Sequence, residues 1–372
     1  MGSYGLKVAI VGMGLWGARA HLPAFRSRDD VDVVALVDPD LDVVRALADE
    51  YLVPRTYADV DTMFADTTNL DAVVFATPTD THHELVLKAF DAGVHVLCEK
   101  PLAYDVPQAR QMADAARAGN FVAKMGFLFR ESPCVRRIKQ LVEDGFIGEL
   151  QLFESVSLNA QFADPQRPVH WKMRRARANG GVFVEYGSHS VDLAQWFGGP
   201  IASVVAHAVT LIPERPIGAG DGQGMVDVDD TAAWIATYDT GGEALFRTGW
   251  ASLPVGGGGL RLYGSRGSLA WQQDGRRSER VMAVTVEEPE PRVLFEFAPP
   301  FEPLVDEGVF PLGLLARYNR QLVASFVDDL RAGHTSAPGF DEGLAVQEVL
   351  AAIRTSLDER RWVDVNRSRN DG

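Results

Sequence analysis

A chain of 372 residues with 46% hydrophobic and 23% charged content holds enough apolar material for two cores, so two domains are expected. Its 36 Lys and Arg stand against 51 Asp and Glu, and the resulting formal charge of −15 would repel a phosphate backbone, which removes nucleic acid from the expected partners. Cys98 and Cys134, the only cysteines, are too few for a disulfide framework, and no group of His, Cys or carboxylates has the spacing of a metal site, so free thiols in a reducing compartment and no metal are expected.

The opening stretch from Met1 to Lys7 lacks the apolar core of a secretion signal, and no later run approaches the roughly 18 apolar residues that span a bilayer. A cytoplasmic location without membrane association is the expectation. From Leu6 to Ala123 short apolar runs alternate with longer amphipathic ones, the pattern of parallel strands covered by crossover helices. Strands are predicted at Lys7–Val11, Val31–Val37, Ala72–Phe75, Val94–Leu97 and Phe121–Ala123, and helices at Leu15–Arg26, Leu41–Glu50, His83–Ala92 and Val106–Ala118. This is a Rossmann-like, doubly wound α/β domain over residues 1–126.

After residue 127 a helix at Cys134–Glu143 precedes runs that alternate with a period of two, at Leu150–Leu158, Ala202–Leu211, Thr231–Tyr238 and Ala244–Trp250. Such alternation predicts a large, mainly antiparallel sheet with one face buried, in an α+β domain over 127–372. Gly218–Gly224 and Gly256–Gly259 read as surface loops. Leu315, Tyr318, Leu322, Phe326 and Leu330 trace the stripe of one closing helix, and Val349, Ile353 and Leu357 that of another, before a polar tail of seven residues.

The first strand runs directly into Gly12-Met13-Gly14-Leu15-Trp16-Gly17, a G-x-G-x-x-G turn opening a helix. The first glycine permits the tight turn, the second admits a pyrophosphate to the backbone, and the third lets helix and strand pack closely. Amides at the helix start, around Leu15 and Trp16, would face the phosphates. The next strand ends at Asp38, about twenty residues beyond the last glycine, where a carboxylate accepts hydrogen bonds from the adenosine ribose. It would repel a 2′-phosphate, and neither Pro39 nor Asp40 supplies an arginine, so NAD is expected rather than NADP. A turn-opening Asp before proline is the plainer alternative for Asp38.

Two further motifs stand at carboxyl ends of predicted strands, where open α/β sheets bind ligands: Ala76-Thr77-Pro78-Thr79-Asp80-Thr81-His82 and Cys98-Glu99-Lys100-Pro101-Leu102. Here the chain resembles the glucose–fructose oxidoreductase, inositol dehydrogenase and MocA family (Gfo/Idh/MocA), whose E-K-P signature matches Glu99-Lys100-Pro101. The resemblance continues through Gly145 to Leu150, Gly180-Gly181, Glu185-Tyr186-Gly187-Ser188-His189-Ser190-Val191-Asp192, Asp229-Asp230-Thr231, Gly264 to Ser268 and Gly343 to Val365. Nearly the whole chain is covered in order.

The resemblance implies that Lys100 binds the reacting oxygen and that His189 exchanges its proton. It adds Thr77, Pro78, His82, Glu99 and Lys100 to the cofactor contacts. The chemistry supports the pair independently: a carbinol gives up hydride readily only as its hydroxyl proton leaves, imidazole titrates near neutrality, and an ammonium stabilises alkoxide character. Taken alone, Lys100 reads better as a surface lysine at a turn and His189 as a satisfied core histidine; their joint occurrence in matching motifs reverses those odds. The family usually carries aspartate four residues before the histidine, where this chain has Glu185. In a helix, Glu185 would share a face with His189, with Asp192 close by, and would either bind a substrate hydroxyl or orient the imidazole.

Arg130 holds the position of a polar pocket residue in relatives, or is a solvated arginine at a strand end. His170-Trp171-Lys172 resembles a segment lying over the active site, with Trp171 a stacking surface for a sugar ring or a core residue, and Lys172 a contact or a plain surface charge. His83 is expected to face solvent or pack. The resemblance thus implies an NAD-dependent dehydrogenase or reductase of a sugar, sugar derivative or polyol, forming a homodimer or homotetramer through the open sheet. Two other readings are an NAD-dependent glycosidase working by transient oxidation and a non-catalytic NAD-binding regulator; the second predicts loss of Lys100 or His189, and both are present.

Overall fold

The computed structural model describes residues 5–218, 222–254, 258–274, 277–299 and 312–367. Parts of the predicted loops Gly218–Gly224 and Gly256–Gly259, the first four residues and the tail beyond Arg367 lie outside them. Where described, those loops are shorter than predicted, because Gln223 and Gly224 lie in one strand and Gly259 opens another. The chain divides into two compact units, 1–128 with 316–344, and 129–315 with 345–372. Among the described residues no helix is long and apolar enough to cross a membrane.

In the first unit six strands, β1 (Leu6–Val11), β2 (Val31–Val37), β3 (Thr56–Tyr57), β4 (Ala72–Phe75), β5 (His95–Cys98) and β6 (Ala123–Met125), form a parallel sheet in the order β3-β2-β1-β4-β5-β6. Their apolar, β-branched runs are covered on both faces: Val8, Ala9, Ile10, Val73, Val74 and Phe75 are fully buried. Asp40 and Asp105 accept hydrogen bonds from the amides of Val43 and Gln108, fixing the starts of helices Leu41–Tyr51 and Val106–Ala118. The order reverses between β1 and β4, so the crevice at their carboxyl ends lies beside Gly12 and Thr77.

Among the described residues of the first unit, β3 and the helix Val60–Asp66 escaped prediction, since two residues show no alternation and seven barely two turns. The predicted helix after Gly14 is present, but its turn Gly17–His21 is π-helical.

Residues 316–344 group with the first unit. A buried ammonium explains why. Lys124, fully buried on β6, has Ser325 Oγ, Asp329 Oδ2 and the Ser336 carbonyl each at 2.9 Å and Ser336 Oγ at 2.7 Å. Met125 also donates its amide to the Pro338 carbonyl at 3.0 Å.

The second unit holds the strands β7 (Leu150–Leu158), β8 (Ile201–Val209), β11 (Thr231–Tyr238), β12 (Glu243–Gly249), β13 (Gly259–Gly264), β14 (Gly267–Asp274), β15 (Ser278–Thr285), β16 (Arg292–Phe297) and β17 (Val363–Asp364). They form one sheet in the order β16-β15-β14-β13-β7-β12-β11-β8-β17. A separate hairpin joins β9 (Glu214–Pro216) to β10 (Gln223–Met225). All pairs in the large sheet are antiparallel except β7 with β12. One face, with Phe153, Trp234, Phe246, Leu262 and Trp271, is buried, and helices Pro133–Glu143 and Gly187–Gly198 pack against the sheet. The opposite side of the alternation carries Ile235, Leu245, Glu154 and Arg261 in one register row, with Ile235 38% and Tyr263 37% exposed.

Candidate active site

Sterics at the first strand's exit separate the three glycines. Gly12 has φ +92°, and a Cβ there would come within 2.5 Å of the Ala76 carbonyl. A Cβ on Gly17 would stand 1.8 Å from the Gly12 carbonyl, so helix and loop touch through backbone. At Gly14 the same construction meets nothing within 4 Å, and the adjacent Leu15 is 46% exposed, leaving room and apolar surface for a nucleotide to approach the backbone. Trp16 is half-buried beside them. Asp38 closes the loop from β2: its carboxylate accepts the Met13 amide at 2.8 Å and the Asp40 amide at 3.0 Å. These residues fit a dinucleotide.

Replacing Asp38 by alanine removes a clamp on the loop and the carboxylate expected to accept from the adenosine ribose. Affinity for NAD, measured by titration of protein fluorescence, should fall at least about tenfold, the cost of a charged hydrogen bond, with a smaller loss for NADP. Unchanged coenzyme preference would refute this role.

Two residues expected at the cofactor are turned inward. His82 is 1% exposed, its Nδ1 3.0 Å from the Pro101 carbonyl oxygen and its Nε2 3.0 Å from that of Thr77. A neutral ring donates to only one of these carbonyls, and burial pushes its pKa below the ordinary value. His82 therefore ties the two loops together. Glu99 is 6% exposed; Oε1 lies 2.9 Å from His21 Nε2, and Oε2 accepts the Lys100 amide at 3.2 Å. Lys100 is half-buried at the start of a cis Lys100–Pro101 peptide, and the Thr77 hydroxyl accepts that of Thr81 at 2.7 Å, beside the half-buried Pro78. His83 meets Gln111 Oε1 at 2.7 Å.

In the second unit, Glu185 forms an ion pair with Lys172, whose ammonium lies 5.6 Å from the centroid of the Trp171 ring. His170 starts this short turn by accepting the Lys172 amide on Nδ1 at 3.3 Å. Glu185 ends a short helix, Val182–Glu185, and Tyr186 separates it from Gly187–Gly198, which carries His189, so the segment is two helices rather than the expected one. Asp229 fixes the first of these by accepting the amides of Gly181 and Phe183, each at 3.0 Å. A Cβ at Gly181 would fall 1.8 Å from the Asp229 carbonyl, so this motif glycine and aspartate are architectural partners. His189, 8% exposed, has its ring 4.9 Å from that of Phe129 at 82°.

Arg130 is buried and not solvated. Its Nε and Nη2 donate to the two oxygens of Asp192 at 3.0 and 2.7 Å, both residues are buried, and the guanidinium lies 5.0 Å from the Trp196 ring centroid. The bidentate geometry anchors the helix that carries His189. Sequence reasoning passed over His21, Gln161 and Tyr186, the last two joined by a hydrogen bond from the tyrosine hydroxyl to the glutamine side-chain oxygen. His21 had a usable signal, four residues after Gly17 on the same helix. Cys98 and Cys134 are free and buried, and burial pushes both thiols up.

Burial, with the Lys172 charge second and Arg167 adding to it, pushes the His170 pKa down to about 4 against an opposing Glu185. A depressed histidine favours the neutral ring in the fold, so its stabilisation is full above about pH 6.5 and is lost as pH falls towards 4. The melting temperature should therefore drop across that interval less steeply in His170→Gln than in the parent. Identical slopes would remove His170 from the linkage; His82 contributes in the same direction.

Residues 6–127 match the family described as "Oxidoreductase family, NAD-binding Rossmann fold", and residues 135–270 match the GFO/IDH/MocA C-terminal domain, together well over half the chain. The chain belongs to the GFO/IDH/MocA family. It is an oxidoreductase whose first unit is an NAD-binding Rossmann domain. Among other GFO/IDH/MocA proteins it is similar to levoglucosan dehydrogenase of Pseudarthrobacter phenanthrenivorans, 28% identical over 81% of each chain. A solved oxidoreductase domain protein from Kribbella flavida is 31% identical over 98% of this chain and 100% of its own, with a TM-score of 0.86. A levoglucosan dehydrogenase solved with NADH and L-sorbose superposes with a TM-score of 0.87 at 25% identity, covering 98% of this chain and 100% of its own.

Proposed function

We propose that this NAD-binding oxidoreductase transfers a hydride between nicotinamide and a secondary hydroxyl or ketone of a sugar, sugar derivative or polyol. The observation that carries the reading is the cluster Trp171, Lys172 and Glu185 in the unit that holds His189: an aromatic face beside a paired ammonium and carboxylate suits a ring with several hydroxyls. Similarity to a dehydrogenase solved with L-sorbose supports the same class.

Bound NAD supplies the hydride acceptor or donor. Gly12, Gly14, Leu15, Trp16 and Gly17 would hold its pyrophosphate, Asp38 its adenosine ribose, and Thr77 and Pro78 would border the nicotinamide end. Lys100 holds the reacting oxygen and stabilises its negative charge; His189 accepts the hydroxyl proton in oxidation and returns it in reduction. Glu185 offers its remaining lone pairs to a neighbouring hydroxyl, and Trp171 covers the apolar ring face. Arg130 acts at a distance, through Asp192.

The test is a screen of monosaccharides, 1,6-anhydrosugars, inositols and their keto forms with NAD or NADH, followed at the NADH absorbance. Turnover of at least one is expected. A purified protein that binds NAD yet turns over none would overturn the reading. The row Ile235, Leu245, Glu154 and Arg261, with Ile235 and Arg261 exposed and Leu245 and Glu154 half-buried, offers a second copy an apolar strip beside an ion pair, so light scattering should give at least a dimer; a monomer at micromolar concentration would exclude assembly through this face.

A further inference from the structure

The His21–Glu99 pair lies wholly inside the first unit and joins the glycine-rich helix to the loop that bears Lys100. His21 is fully buried on the π-helical turn that follows Gly17. That turn directs an imidazole inward from a helix whose start faces the cofactor loop. Its Nε2 lies 2.9 Å from Glu99 Oε1, and a carboxylate can only accept there, so the ring carries its proton on Nε2. The other Glu99 oxygen folds back onto the amide of the next residue, Lys100, at 3.2 Å. Gly126 closes the space: a Cβ there would stand 2.9 Å from the carboxyl carbon. The side chain of Glu99 thus has one donor on each oxygen and a backbone wall beside it.

We infer that His21 is a positioning residue for Lys100, acting through Glu99, so that the cofactor-binding helix and the ammonium at the reacting oxygen are set by one hydrogen-bonded relay. The inference rests on the proposed role of Lys100. The carboxylate fixes the backbone from which the lysine departs, and His21 fixes the carboxylate. Without the imidazole, the buried carboxylate loses a donor, turns away and frees the Lys100 amide. Misplacing a catalytic group by about 1 Å costs on the order of 100-fold in rate.

The experiment compares His21→Leu, His21→Gln, Gly126→Ala and Lys100→Met in the full-length protein, using the sugar of highest rate in the screen above, with NAD affinity measured separately. Glutamine places an amide N–H near the position of Nε2. Expected are a fall in kcat of about 100-fold for His21→Leu with NAD affinity within about threefold, recovery to within about tenfold of the parent for His21→Gln, and a kcat loss for Gly126→Ala, which leaves His21 intact. If His21→Leu does not fold, Gly126→Ala decides: a kcat loss at unchanged NAD affinity supports the relay and a parental kcat overturns it. Parental kcat in His21→Leu, or equal losses in His21→Leu and His21→Gln, overturn the relay while Lys100→Met still inactivates. Full activity in Lys100→Met instead overturns the proposed function itself.

Discussion

Substituting methionine for Lys100 should lower kcat by about 10²- to 10³-fold, the measured worth of a preorganised charge stabiliser, while leaving NAD affinity within a few-fold of the parent. Methionine keeps an unbranched chain of similar length and removes only the ammonium. In oxidation the substrate oxygen passes from hydroxyl towards alkoxide as its proton leaves; in reduction a carbonyl oxygen gathers charge as hydride arrives. One fixed positive charge favours both, so the loss should appear in either direction and with every substrate the enzyme accepts. A steady-state assay with NAD and with NADH checks this, alongside a binding titration of the coenzyme. A variant that kept more than about a tenth of the parental rate would remove the lysine from the chemistry.

The parallel sheet was legible because four of its strands are continuous apolar runs buried on both faces, and because Gly12, Gly14 and Gly17 mark the turn where strand becomes helix. The legible end of β2 put Asp38 beside that turn, where its carboxylate accepts the Met13 amide. The second sheet was legible only in part. β7 and β11 run for eight or nine residues, whereas β13, β14 and β15 alternate over only two buried apolar positions each, Leu260 and Leu262, Leu269 and Trp271, and Val281 and Ala283, set among charges and glycines. At the site, motif position identified polar residues but not the direction of their side chains. Glu99 and His82 follow strand ends, and both are buried, where a long-range partner sets the side chain: His21, 78 positions away, and the Pro101 carbonyl, 19 away. Arg130 finds Asp192 at a separation of 62. Such pairings leave no local period or spacing to read.

The same limit hid the return of residues 316–344 to the first unit, and it sets the largest expected effect on stability. Lys124 is fully buried and Asp329 4% exposed, so their charges have left water, and the ammonium's three protons meet Asp329, Ser325 and Ser336. Lys124→Met retains the packing volume but leaves the Asp329 carboxylate buried without its counter-charge. Breaking one side of such a pair costs about 3–5 kcal/mol, whereas replacing both partners by apolar residues is often neutral. Urea denaturation of the first unit, followed by a probe within residues 1–128, should therefore show the single variant strongly destabilised and Lys124→Met/Asp329→Leu recovering most of the loss. The comparison separates two accounts of the contact. If the double variant is as unstable as the single one, the ammonium's bonds to Ser325 and Ser336, and not its charge pairing, hold the returning segment; if the single variant is within about 1 kcal/mol of the parent, neither does, and backbone pairing of β6 with the Pro338–Gly339 segment suffices.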